Sequence, residues 1–303
     1  MIKAAILAGK HESLTRLVQL LHSHPDVELV AYADNTMSGQ HLDDVYPALT
    51  GETELVITSD IDLSQVDVVF IADSPGAARR FMASTTLPDD LRVIDMSGDF
   101  RDGDDPYGFI QGIPELNRKA MVRGARYVSM PDEATTAIIL GLLPLARNLM
   151  LNAPITVGYA VSDSASTTET ISAAIISDKI TNQLVRAITG LQSSFSSKIS
   201  GFSFTGEMAQ GIAAIIEVDT GVDIEALKAL FDEFYDDHNF TFLVDSVPDV
   251  NDVRGTNKCF VYLDKTGDQL VINTVMDNDL KGGAGNAVHV MNLLFGLIEK
   301  VGL

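Results

Sequence analysis

The chain holds a single cysteine, Cys259. One thiol cannot build an intrachain disulfide framework, which sets aside the small stapled scaffolds of secreted proteins. Basic residues are scarce as well: 21 Lys and Arg stand against 42 Asp and Glu, a formal net charge of −21. A nucleic-acid footprint needs the opposite balance, so no nucleic-acid partner is expected. Acidity of this size concerns solubility and self-repulsion rather than fold. No apolar run reaches the length of a membrane span, and Met1 to Gly9 reads as a strand rather than a signal peptide. The expectation is a soluble cytoplasmic protein with no membrane partner.

What is present is an ordinary globular balance, 46% hydrophobic and 21% charged over 303 residues, enough for two domains. Ile2 to Ala8 is a continuous apolar run, as in a buried parallel strand. Leu14, Leu17, Val18, Leu20 and Leu21 follow at helical spacing, and Val27 to Ala33 is a second strand. Val66 to Ala72, Ala77 to Ser84 and Arg92 to Met96 continue the strand and helix alternation. The pattern predicts a doubly wound α/β domain of Rossmann type. After Arg147 the pattern changes. Ile155 to Val161 and Gly211 to Val218 read as strands, Ile171 to Leu191 and Ile224 to Tyr235 as helices. Cys259 to Leu263 and Gln269 to Met276 flank a hairpin turn at Lys265 to Asp268. These predict an inserted α+β domain with a mostly antiparallel sheet and helices on one face. Residues 134–280 are assigned to it, and residues 1–133 with 281–303 to the Rossmann-type domain, closed by a helix from Ala287 to Lys300.

The stretch that draws attention is Tyr127 to Arg147. A short strand meets Pro131, then Asp132 and Glu133, then a long apolar helix. A helix start offers free N–H groups and a positive dipole end. The first strand-to-helix turn, Ala8 to Leu14, has one glycine, Gly9, with Lys10, His11 and Glu12 behind it. A dinucleotide cradle needs more glycine than this, and a tight connection capped by Ser13 is the favoured reading. Ser97 and Arg101 follow a strand end, where ligands of open α/β sheets sit; Arg101 either grips an anion or pairs locally with Asp99. Asp102 to Tyr107 lacks the ligand spacing of a calcium loop, so no metal is expected. Ser162 to Thr170 is a polar stretch, either a solvated loop or the cap of the next helix. Lys281, Gly282, Gly283, Gly285 and Asn286 form a glycine-rich segment before the last helix, a pattern that suits an anion or an amide.

Several pieces together resemble the N-acetyl-gamma-glutamyl-phosphate reductase family, of the aspartate-semialdehyde dehydrogenase-like superfamily. They are HPDVELVA (His24 to Ala31), VIDMSGDFR (Val93 to Arg101), GIPELNR (Gly112 to Arg118), DVRGTN (Asp252 to Asn257) and DNDLKGGAGNAVHVMNLLFGL (Asp277 to Leu297). The resemblance implies NADP-dependent reduction of an acyl phosphate in arginine biosynthesis, and a homodimer or homotetramer. It places Ser97, Arg101, Arg254 and Asn257 about the substrate pocket and the segment from Lys281 to Asn286, with Gly9, about the cofactor.

The resemblance also marks what is missing. The family's nucleophilic cysteine, in a run similar to Asn-Pro-Gly-Cys-Tyr-Pro-Thr, falls on Glu133 within Met130 to Thr136. No cysteine precedes Cys259, and no histidine lies between His41 and His238, so the family's base is absent too. The stretch that holds this base matches Asp178 to Gln183. The family's three spaced glycines fall on Ala8, His11 and Leu14. The expectation is a homologue with NADP binding weakened or lost, acting as a binding or regulatory protein and assembling with itself or with an intact reductase. The alternative is an active NADP-dependent oxidoreductase of atypical mechanism. A third reading makes Glu133 a general base for hydrolysis, which needs a raised carboxyl pKa that a helix N-terminus opposes.

Overall fold

The computed structural model describes residues 1–9, 14–103, 105–162, 171–206 and 210–303. The chain divides into two compact units, Met1–Pro131 with Ala284–Leu303, and Asp132–Gly283.

In the first unit the strands are β1 (Ile2–Ala8), β2 (Val27–Ala33), β3 (Val68–Ala72), β4 (Arg92–Asp95), β5 (Ile110–Gln111) and β6 (Tyr127–Ser129). Between them run helices α1 (Thr15–Ser23), α2 (Leu42–Val45), α3 (Ala77–Ser84) and α4 (Pro114–Val122). All strand pairs are parallel, in the order β2-β1-β3-β4-β6-β5. Burial on both faces explains the unbroken apolar strands. Ala4, Ile6, Val68 and Phe70 face a core shared with Leu17, Val18 and Leu21 of α1, while Ala5, Val69 and Ile71 face one shared with Ala77, Ala78 and Met82 of α3. Stacked Phe100 and Phe109 complete the second core.

The second unit opens with α5 (Glu133–Arg147), followed by β7 (Ile155–Ser162), β8 (Ser172–Ile175), α6 (Asp178–Leu191), β9 (Ile199–Gly206) and β10 (Ile212–Asp219). Then come α7 (Ile224–Tyr235), β11 (Thr241–Leu243), β12 (Cys259–Thr266) and β13 (Gln269–Met276). The sheet order is β11-β12-β13-β10-β7-β9-β8. The sheet is mixed: β11 with β12 and β7 with β9 run parallel, the other pairs antiparallel. The apolar helix α5 lies on one face, tied to it by Thr274 Oγ1 donating to Ala137 O at 2.9 Å. On the other face the register lines up Phe202, Gly158, Ile215, Asn273 and Tyr262 across five strands. There Phe202 and Ile215 are each 49% exposed.

Two expectations are corrected. The stretch from Ile171 to Leu191 is not one helix. Ser172 to Ile175 pairs antiparallel with Phe202 to Thr205 of β9, and α6 begins only after Ser177, whose side chain caps it. Helical spacing does not show that an open strand edge is at hand. The last helix is α8 (Ala284–Leu294), not Ala287 to Lys300. It ends where Gly296 adopts a left-handed φ of 66° and donates to Leu293 O, a common glycine stop. The suggested Ser13 cap, with Lys10, His11 and Glu12 of the same turn, and residues 163–170 of the polar stretch lie outside the described residues.

Candidate functional site

Helix α5 begins where the sequence placed its candidate chemistry. Asp132 is the N-cap, with φ −64° and ψ 148°, and its Oδ1 accepts from Ala134 N at 3.0 Å. Glu133 is the first helical residue and is half-buried. The two acids therefore have different parts: Asp132 satisfies a free backbone donor, and Glu133 adds charge at the positive dipole end. Asp132 N in turn donates to Gln183 Oε1 at 3.1 Å, and Gln183 Nε2 donates to Lys179 O at 3.2 Å. That buried glutamine lies in α6.

Tyr159 and Ser203 join this end of the second unit. They stand opposite each other in the β7 and β9 register and share a hydrogen bond. Burial raises the Tyr159 phenol above its ordinary range; the Ser203 bond lowers it, and the charges of Asp132 and Glu133 raise it further. The phenol thus stays protonated beside the acids. No spacing in the sequence points to Tyr159 or Ser203, because only strand pairing brings residues so distant in the chain together.

The segment before α8 packs directly on α5. A Cβ at Gly282 would lie 2.8 Å from Glu133 Cβ and 2.5 Å from Asn278 O, and one at Gly283 would lie 2.9 Å from Asp279 O. The glycines thus have a packing reason beside any ligand. Lys281 is wholly buried, its Nζ 5.8 Å from the centre of the Phe240 ring. Asp277 gathers the loops: its Oδ1 accepts from Asp279 N and Leu280 N, its Oδ2 from Gly255 N at 2.8 Å. Arg254 is exposed, whereas Asn257 is buried, and among the described residues neither of its amide atoms has a hydrogen-bond partner. Cys259 is wholly buried at the start of β12, paired with Thr241 and Met276.

The remaining candidates lie in the first unit. Ser97 and Arg101 share the loop after β4. Ser97 donates through N and Oγ to Asp95 Oδ1, and Arg101 Nε donates to Met130 O at 2.8 Å. Asp99 accepts from Gly76 N and Arg79 N at the start of α3. Gly9 sits against Asp73 at the end of the neighbouring strand. Gly285 and Asn286 are not in a loop but in the first turn of α8, where Asn286 Nδ2 donates to Gly112 O at 2.9 Å. Among the described residues no group of His, Cys, Asp and Glu is arranged to hold a metal. Nor is any helix among them long and apolar enough to cross a membrane.

Known proteins resemble this chain in sequence and in fold. The N-acetyl-gamma-glutamyl-phosphate reductase of Parabacteroides distasonis is 37% identical over all of this chain and 98% of its own length. The enzymes of the same name from Bacteroides thetaiotaomicron and Christiangramia forsetii are 37% and 33% identical over the same shares. The chain belongs to the N-acetyl-gamma-glutamyl-phosphate reductase family. Within it, residues 15–123 match the family described as semialdehyde dehydrogenase, NAD binding domain. Residues 186–278 match semialdehyde dehydrogenase, dimerisation domain. The fold is shared with aspartate semialdehyde dehydrogenase II of Vibrio cholerae (TM-score 0.75, 18% identity, 98% of each chain). It is shared too with aspartate semialdehyde dehydrogenase with NADP from Candida albicans (TM-score 0.74, 15% identity, 97% of this chain and 98% of that one).

Proposed function

We propose that this chain is a non-catalytic member of its family, a binding or regulatory protein that assembles with itself or with an intact reductase. One observation carries the reading: Glu133 opens α5 at the position matched to the family's nucleophilic cysteine, while Cys259 is wholly buried in β12. A carboxylate attacking an acyl phosphate forms a mixed anhydride, no easier to make than the substrate. It is also a far weaker nucleophile than a thiolate. Losing a covalent nucleophile lowers rates by roughly 10⁴–10⁶-fold. The matched base position supplies no histidine either. Gln183 stands in that stretch bonded to Asp132 N, and an amide cannot shuttle protons at neutral pH.

The first unit corresponds in this reading to the nucleotide domain and the second to the dimerisation domain. The exposed sheet face with Phe202, Phe204 and Ile215 is the surface on which two copies meet. The residues present do not fit a bound NADP. A Cβ at Gly9 would lie 2.1 Å from the Asp73 carboxylate, which leaves no open cradle on that side of the turn. Cofactor binding is therefore weakened or lost.

The test is the reverse reaction, with N-acetylglutamate semialdehyde, phosphate and NADP⁺, followed as NADPH absorbance. The wild-type protein and Glu133→Cys are both expected to show no turnover above background. Turnover by the wild type would establish an active oxidoreductase of atypical mechanism. Turnover by the variant alone would show that the rest of the apparatus is intact.

A further inference from the structure

The parallel sheet of the first unit ends in carboxylates at its carboxyl edge. Asp34 follows β2, Asp73 follows β3, and Asp95 closes β4. Between β2 and β3, β1 ends at Ala8 and Gly9, where an open α/β sheet meets the pyrophosphate of a dinucleotide. Gly9 faces not open space but Asp73: a Cβ there would meet its Oδ1 at 2.1 Å and its Cα at 2.9 Å. Asp73 is held in place by accepting from Ser74 N. Its neighbours are held in the same way. Asp34 Oδ1 accepts from Thr36 N and Thr36 Oγ1, both at 2.6 Å, and from Met37 N. The N-terminus of α3 is closed by Asp99.

In a dinucleotide site the N–H groups at this edge point to ligand phosphates, and glycine lets the backbone come close. Here side-chain carboxylates take edge donors, and one of them lies against the only glycine of the turn. A phosphate brought to Gly9 would meet a like charge at contact distance in a half-buried setting.

We propose that Asp73 is a specificity-determining residue that turns pyrophosphate-bearing dinucleotides away from the β1 end. It deepens the non-catalytic reading above and rests on it. Asp34 adds a second barrier of a different kind, since it opposes the 2′-phosphate of NADP and not the ribose diol of NAD. The two are separable because NADH and NADPH share the pyrophosphate and differ at the ribose.

The experiment measures binding of NADH and of NADPH to the full chain by calorimetry, for the wild type, Asp73→Asn and Asp73→Ser. Both replacements leave a short polar side chain beside Ser74, and urea midpoints check that each folds. Removing one repulsive charge at contact is expected to tighten binding by about tenfold or more. The gain should be equal for the two nucleotides and should shrink as salt is raised. Wild-type binding in the low micromolar range, or affinity unchanged in both folded variants, would overturn the proposal. Its failure is distinct from that of the parent reading. Tight wild-type binding without turnover sinks the role of Asp73 and the loss of cofactor binding, whereas turnover sinks the non-catalytic reading.

Discussion

Gly282 tests whether the glycine-rich segment is there for packing or for a ligand. The perturbation is Gly282→Ala. Its new Cβ would stand 2.5 Å from Asn278 O and 2.8 Å from Glu133 Cβ, both closer than carbon atoms of real side chains come. The first contact is with backbone of its own turn, so no side-chain rotation relieves it. Overpacking of this kind costs about 1–3 kcal/mol. Against it, replacing glycine reduces the freedom of the unfolded chain and recovers roughly 0.4–1 kcal/mol. The net expectation is a loss of about 1–2 kcal/mol. Glu133→Gly removes the second clash and sacrifices a helix-start charge worth about 0.3–1 kcal/mol. The double variant should therefore be more stable than the sum of the single losses by about 0.5–1.5 kcal/mol, above the scatter of independent sites. Urea denaturation of the four proteins, fitted with a common m-value, measures this. Additive losses, or a Gly282→Ala variant as stable as the wild type, would refute the packing account.

Three further outcomes follow from the geometry. Asp132→Ala removes the α5 N-cap and is expected to cost about 1 kcal/mol in urea denaturation. Asp95 is wholly buried, and burial raises its carboxyl above the ordinary value against the lowering by its bonds from Ser97 and Phe100. The folded state then binds that proton more tightly than the unfolded state does. Its stabilising contribution is present below the unfolded pKa and is lost as pH rises through the folded one. The stability of the wild type relative to Asp95→Asn should therefore fall as pH rises from acid toward neutral; a difference that is flat or grows with pH refutes it. Ile215→Asp, on the exposed sheet face, is expected to shift the protein to monomers in size-exclusion chromatography with light scattering, and an unchanged mass would rule that face out as the interface.

Local chemistry made much of the fold legible. Parallel strands buried on both faces must be apolar throughout, so β1, β2 and β3 stand out as runs, and α3 and α7 show clear helical spacing. The start of α5 is readable because Pro131, Asp132 and Glu133 carry helix-start chemistry whatever lies around them. The absence of a thiol before Cys259 and of histidine between His41 and His238 is a property of the sequence alone. What no local pattern contains is which segments become neighbours. The strand Ser172 to Ile175 exists because β9 offers it an edge, and the same residues fit a helical period equally well. Tyr159 and Ser203 meet only through sheet register, and Gln183 reaches Asp132 only through the docking of α6. The glycines split in the same way. Their positions were plain in the sequence, but only the tertiary structure shows Gly282 against Glu133 and Gly9 against Asp73. Composition and periodicity depend on a residue and its chain neighbours, whereas the space around a missing side chain depends on atoms brought in from elsewhere in the chain.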